Sequence, residues 1–375
     1  MMPGVQPIPL TDELVREARA MIGKEVSRAK PGNQWNEEAS RDAIRHYAHG
    51  IGDDNPLWCD PAYGKKSAYG CTIAPPTFLH TVDTTIVAPG LGGIQLIFGG
   101  TDWTFHDTVR GGDGITPCVK IADVEEHHGK KVGRFLIQVG EITYTRQDGK
   151  LMARALGRTL RIPRVGAEGQ MRHEQRRQTY TEEQLEAIRQ EVLQEKRRGS
   201  QTRFWEAVEA GELLTPVVKG PLNLIDMVCY MAGLGYPTPF KALERSYLDP
   251  YQGDKMFYRN ERGDLINAAV GHLDENVARE IIGMPGAYDV GHQRISWMGH
   301  LLTNWMGDEG FLKRLQVKIE RPNLFGDTTW CRGRVTGKRQ EGGECLVDCE
   351  LWAENQRQEI TVTGTATVRL RSREV

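Results

Sequence analysis

The chain has 375 residues, of which 39% are hydrophobic, with 48 basic and 50 acidic side chains and a net charge of -2. That length suggests two or three domains, and either half is long enough to bury its own core. Near-neutrality excludes the broad basic field of a general nucleic-acid or membrane binder. No apolar run approaches the roughly 20 residues that span a bilayer, and Met1-Met2-Pro3-Gly4-Val5 lacks the layout of a secretion signal. The seven cysteines are scattered, with no C-x-x-C pair and no zinc spacing, and read as free thiols of a reducing cytoplasm.

In chain order, Asn33 to Ile51 reads as coil entering a helix, with Asn36 as N-cap and Glu37 and Glu38 in the first turn. Ile44, Tyr47, Ala48 and Ile51 fall on one face and predict core packing. Gly52 stops this helix, and the motif Asp53-Asp54-Asn55-Pro56-Leu57-Trp58 follows. Pro75 and Pro76 predict a second helix starting near Pro76. Strands are expected around Trp103 to Asp107, over Val119 to Asp123, over Val132 to Arg146 and over Leu151 to Ile162. An Asp-Gly hairpin turn at 147–150 joins the last two. His127-His128 beside Glu125-Glu126 reads as a solvated turn at Gly129 rather than a metal site. The glycines at 90–93 and 99–100 lack the context of a dinucleotide loop.

From Pro163 to Ser200 Glu, Gln and Arg dominate. Thr181 and Gln184 fit a capping box, and Leu185, Ile188, Val192 and Leu193 make a narrow apolar stripe on a charged linker helix. A second unit begins near Ala210. Asn223 caps a helix through Ala232, and Leu243 to Gly271 reads as a polar insertion. A short helix ends near Gly283, and Ile295 to Met306 is a further helix. Strands return at 315–319, 329–337, 345–354 and 359–371. The two ends overlay: Trp103-Thr104-Phe105 with Gly112-Asp113 parallels Val317-Lys318-Ile319 with Gly326-Asp327. Helix followed by antiparallel meander thus occurs twice, an α+β arrangement in which each sheet buries one face on a helix.

This order, with Asp53-Asp54-Asn55-Pro56-Leu57 and Ile73-Ala74-Pro75-Pro76-Thr77-Phe78, resembles the double hotdog form of the MaoC-like acyl dehydratases and (R)-specific enoyl-CoA hydratases. The resemblance implies an N-terminal hotdog over 5–165, a charged linker helix over 166–204 and a C-terminal hotdog over 205–372. It also implies reversible syn hydration of an enoyl thioester, with the CoA thioester as substrate and no separate cofactor or metal. A role in fatty acid metabolism in the cytoplasm is expected, with no nucleic-acid or membrane partner and a homo-oligomer, a dimer. The family motif is Asp-x-Asn-Pro-(Leu/Ile)-His. Asp53 takes its acid position, but Trp58 stands where the imidazole belongs, and His46, His49 and His80 are not at motif spacing, so the first copy is expected to be non-catalytic and to accommodate the acyl tail.

In the second copy His272 precedes His292 by twenty residues, the family's interval between the motif His and the segment opening the central helix. Asn267 then occupies the acid position, five residues before His272. The expected catalytic pair is His272 and Asn267, with Asp264 or Asp289 as possible spatial substitutes for the acid. Gly291, His292 and Gln293 are the candidate oxyanion donors that bind the thioester. A second alignment places Tyr236 to Lys241 at the motif and leaves neither acid nor imidazole. Two other readings remain open: a non-catalytic acyl-CoA-binding partner of a dehydratase, and a hotdog thioesterase.

Overall fold

The computed structural model describes residues 8–26, 36–130, 132–163, 178–235, 257–260 and 262–374. The alternative 236–241 motif and residues 243–256 of the expected 243–271 insertion lie outside them. A short helix α1 (Asp12–Arg19) leads to α2 (Arg41–Gly50). The N-cap of α2 is Ser40, whose Oγ accepts from Ala43 N at 3.2 Å, rather than Asn36. Glu38 is instead drawn into a bridge with Gly114, so the acidic pair precedes the helix. Ile44, Tyr47, Ala48 and Ile51 are buried as their spacing predicts.

The motif forms α3 (Pro56–Cys59), capped by Asn55, and α4 (Pro61–Lys66), capped by Asp60. The helix expected at Pro76 is a six-residue 3-10 turn, Pro76–Thr81. It stops where Asp83 Oδ1 accepts from Thr85 N and Thr85 takes a φ of 64°, ahead of a β-branched run unsuited to a helix. Four strands follow: β1 (Gln95–Phe105), β2 (Ile115–Gly129), β3 (Gly133–Arg146) and β4 (Leu151–Ile162). His127 and His128 lie within β2 and not in a turn, and His127 pairs with Glu125 at 3.0 Å.

The linker helix α5 (Glu182–Leu193) has the expected Thr181–Gln184 capping box. Of its apolar stripe only Ile188 is buried; Leu185, Val192 and Leu193 are exposed. The second unit contains β5 (Val217–Lys219), α6 (Leu224–Gly233) capped by Asn223, and a hairpin of β6 (Phe257–Arg259) and β7 (Leu265–Asn267). Next come α7 (Glu275–Val277), a π turn closed by Gly283, and the central helix α8 (Gly291–Met306). The chain ends in β8 (Phe311–Ile319), β9 (Thr329–Glu341), β10 (Glu344–Asn355) and β11 (Ile360–Leu370).

The sheet runs β2-β3-β4-β1-β8-β11-β10-β9-β5. Its halves mirror each other about the antiparallel β1–β8 pair, where Gly100 faces Lys318 and Thr104 faces Arg314. Asp102 and Arg314 tie this seam with an ion pair at 2.9 Å. The repeat extends to single atoms. Asp113 accepts from Arg110 N at 2.8 Å and Asp327 from Leu324 N at 3.0 Å, and Gly112 and Gly326 both have φ 92°. The hotdog architecture read from the sequence is therefore present twice, with the first central helix reduced to the 3-10 turn.

Helices α2 and α6 cross antiparallel at two glycines. A Cβ on Gly50 would stand 2.8 Å from Cys229 O, and one on Gly233 would stand 2.8 Å from His46 O. Both contacts are to backbone, which has no rotamer to yield. Gly233→Ala is expected to lower stability by about 1–3 kcal/mol, read as a lower denaturant midpoint at unchanged slope.

Candidate active site

Helix α8 is buried along nearly its whole length, from His292 to Met306. It nevertheless carries a polar residue every fourth position: His292, Ser296, His300 and Asn304, all buried. Residues four apart share one helix face, so these make a polar stripe through the core. The N-terminal end of the stripe meets the second-copy motif and the C-terminal end meets the first.

At the first-copy end Asp53 is fully occupied. Its Oδ1 accepts from Asn55 N at 3.0 Å, and its Oδ2 accepts from the Trp58 indole N–H at 2.8 Å. The indole thus takes the imidazole's place and satisfies the carboxylate, but it holds no lone pair with which to accept a proton. His300 Nε2 lies 2.8 Å from Glu195 Oε1 and 3.5 Å from Asp53 Oδ1, aligned with neither. Lys219 Nζ donates to His300 Nδ1 at 3.0 Å and to Gly52 O at 2.8 Å, which places the ring proton on Nε2. Asn304 Nδ2 donates to Glu195 at 2.8 Å. Burial alone would raise the Glu195 carboxyl; His300, Lys219 and Asn304 outweigh it and bring it down to about 2. Sequence reading missed His300, Glu195 and Lys219. For His300 the signal available was the four-residue spacing of His292, Ser296, His300 and Asn304; no local pattern marks Glu195 or Lys219.

A cavity of about 40 Å³ opens beside this end, lined by Trp58, Tyr69, Phe105, Met306, Asp308 and Phe311. It lies at the first-copy motif, not at His272.

At the second-copy end, Asn267 closes β7 and is buried; its Oδ1 accepts from Ala269 N at 2.8 Å. This is the same two-residue turn that Asp53 makes with Asn55, so the positions of Asp53 and Asn267, and of Trp58 and His272, correspond in local structure as in spacing. His272 ends the 3-10 turn Ala268–His272. Its Nδ1 lies 3.0 Å from Tyr288 O, and its ring is 4.2 Å from the Tyr288 ring. A carbonyl only accepts, so Nδ1 carries the proton and Nε2 the lone pair. Burial lowers the His272 pKa, partly offset by the backbone carbonyls of Tyr288 and Asp289.

Neither suggested substitute acid serves His272. Asp264 is exposed in the β6–β7 turn, bonded to Asn260 and Arg262. Asp289 pairs with Arg294 at 2.7 Å and accepts from Asn323, and burial raises it to about 6. It anchors the loop entering α8. No side chain caps α8, and Phe98, at a β-bulge in β1, packs against Gly291. The Gln293 N–H already donates to Val290 O at 2.9 Å, so of the three expected donors Gly291 and His292 remain. Among the described residues no group of three or more His, Cys, Asp or Glu stands close enough to hold a metal ion, and no described helix is long and apolar enough to cross a membrane.

Residues 22–155 match the model of the FAS1-like dehydratase domain region. A UPF0336 protein of Streptomyces avermitilis is 30% identical over 129 residues, 32% of this chain and 85% of that protein. One of Parafrankia sp. is 31% identical over 123 residues, 31% of this chain and 78% of that protein. The chain belongs to the family of these UPF0336 proteins. Solved structures share the whole fold. A MaoC-like dehydratase superposes with a TM-score of 0.66 at 16% identity, covering 94% of this chain and 100% of that one. A MaoC-domain protein of Chloroflexus aurantiacus gives 0.60 at 12% identity, covering 94% and 96%. A Mycobacterium tuberculosis protein described as a double hotdog gives 0.52 at 10% identity, covering 88% and 92%.

The first-copy cluster of this family member ties folding to pH. Glu195 falls from 4.5 unfolded to about 2 folded, so its stabilisation is present above pH 4.5 and is lost as pH drops toward 2. Glu195→Gln is expected to remove on the order of 3 kcal/mol of that acid dependence, seen as a flatter profile of unfolding free energy between pH 4.5 and 2.

Proposed function

We propose that the chain is a hydro-lyase that adds water reversibly and syn across an enoyl thioester, giving a 3-hydroxyacyl thioester, with the reaction at the second-copy site. The observation that supports it is His272 beside the uncapped end of α8, its Nδ1 proton committed to Tyr288 O and its Nε2 left basic. In the hydration direction Nε2 takes a proton from water as the oxygen bonds to the β carbon. The π electrons move through the α carbon to the thioester oxygen, where the N–H groups of Gly291 and His292 stabilise the enolate. His272 then returns the proton to the α carbon, and the enolate collapses to the thioester. Asn267 orients the water through its amide but takes no proton. No cofactor is required beyond the CoA that the substrate carries. Asp53 and Trp58, closed on each other, make the first copy a companion without chemistry, and a dimer of such chains is the assembly the reading favours.

A second reading rests on the fact that neither copy holds Asp and His together at the motif's own acid and imidazole positions: the chain binds an acyl thioester and lends its site to a catalytic partner. Loss of enoyl-CoA absorbance on adding the purified protein separates the two. If the protein binds acyl-CoA and turns over no enoyl-CoA, the second reading replaces the first.

His272→Ala is expected to lower kcat about 100-fold or more, and wild-type activity in that variant excludes the site. The acid limb of kcat/KM should lie below 6.5, since burial lowers the base and activity falls as it is protonated. Asn267→Asp, which restores a proton acceptor to the turn, should raise kcat about 10-fold.

A further inference from the structure

Around the first turns of α8 the core holds polar atoms with no hydrogen-bond partner among the described residues. They are both ring nitrogens of His80 and of His292, Trp103 Nε1 and Thr77 Oγ1. All four residues are buried. They are also close together: the His80 and His292 ring centroids are 5.4 Å apart and His80 and Trp103 5.2 Å, with the Tyr230 ring 5.7 Å from His292. Thr77, one turn before His80, packs on α8 at Gly299. Both hotdog halves and both central elements contribute. Buried polar groups in folded proteins are nearly always paired, and each unpaired one costs about 1–3 kcal/mol. A concentration of them at one place marks where a ligand or water would supply the partners.

The chemistry of that ligand follows from the atoms. The cluster mixes donors (Trp103, Thr77 and one N–H per imidazole) with acceptors (the second imidazole nitrogens and the Thr77 oxygen). It contains no carboxylate, lysine or arginine. Burial pushes His80 down to about 3, and burial with repulsion from His80 and His272 holds His292 well below its usual value, so both rings are neutral. A carboxylate would be desolvated here with no cation to meet it. A plain alkyl chain would leave every one of these atoms unpaired.

We infer that this cluster receives the acyl group of the substrate and reads an uncharged oxygen on it, a hydroxyl or a ketone, placed beyond the β carbon. The inference rests on the preceding reading in one respect, that the thioester lies at the start of α8. His80 and His292 are then specificity-determining residues, one from each half of the chain.

Calorimetric titration of the full chain with saturated acyl-CoA thioesters of equal length tests this without turnover. One member of the series is unsubstituted, and the others carry one hydroxyl at successive carbons past the β position. At least one hydroxylated member should bind about 10-fold or more tightly than the plain chain. His80→Leu, checked for folding by its thermal melt, should erase that advantage. Equal or tighter binding of the plain chain across the series overturns the inference, and the wild-type series decides this even if the variant does not fold. Tighter hydroxylated binding without hydration of any enoyl-CoA upholds the polar cluster and removes the hydratase reading. Hydration of enoyl-CoA with no preference for the oxygen does the reverse.

Discussion

A helix buried on all sides must account for every polar atom it carries, and this constraint on α8 organises the molecule. Its backbone bonds are internal, but His292, Ser296, His300 and Asn304 project into the core and need partners from elsewhere. Ser296 finds the carbonyl of His292 and the hydroxyl of Tyr47. His300 and Asn304 find Lys219 and Glu195. The linker, β5 and the first-copy motif bring Glu195, Lys219 and Asp53 to the C-terminal end of this stripe, although His300 Nε2 and Asn304 Oδ1 keep no aligned partner there, while at its first turn neither ring nitrogen of His292 has one among the described residues. The stripe thus has one end met by charged side chains and one end that is not, an asymmetry set by the same helix.

The divided motif fits that asymmetry. Asp53 keeps its turn with Asn55 and gains an indole donor, which makes a stable buried carboxylate and an inert one. Asn267 keeps the turn with Ala269 but gives up the charge, so the motif that holds His272 has an amide at its acid position. Each copy retains the half of the pair that suits its surroundings. A carboxylate beside Lys219 and His300 is compensated. One beside His272 would sit near Asp289, already raised by burial and by a neighbouring acid, Asp327.

Much of the fold was legible in the sequence because its signals are local. The Gly112-Asp113 and Gly326-Asp327 turns, the Asn223 cap and the Thr181–Gln184 box are decided within four residues, and each appears in the structure as read. Where a distant contact competes, local reading fails. Glu38 pairs with Gly114, and the helix start moves to Ser40. The α5 stripe of Leu185, Ile188, Val192 and Leu193 predicts a helix packed on one side, yet only Ile188 is buried. At the candidate site the spacing of Asn267 and His272 was visible from their interval alone. The juxtaposition of His80 with His292, and of Asp53 with His300, joins residues more than two hundred positions apart, and no local pattern encodes it.

The β1–β8 seam has a consequence for how such a chain changes over time. Two identical subunits joined at that seam would inherit every substitution in duplicate, so losing an imidazole from one motif would remove it from both. Joined in one polypeptide, the halves are released from that bond of symmetry. Tryptophan at 58 and histidine at 272 coexist, and so do aspartate at 53 and asparagine at 267. One half is then free to become a wall while the other keeps its base.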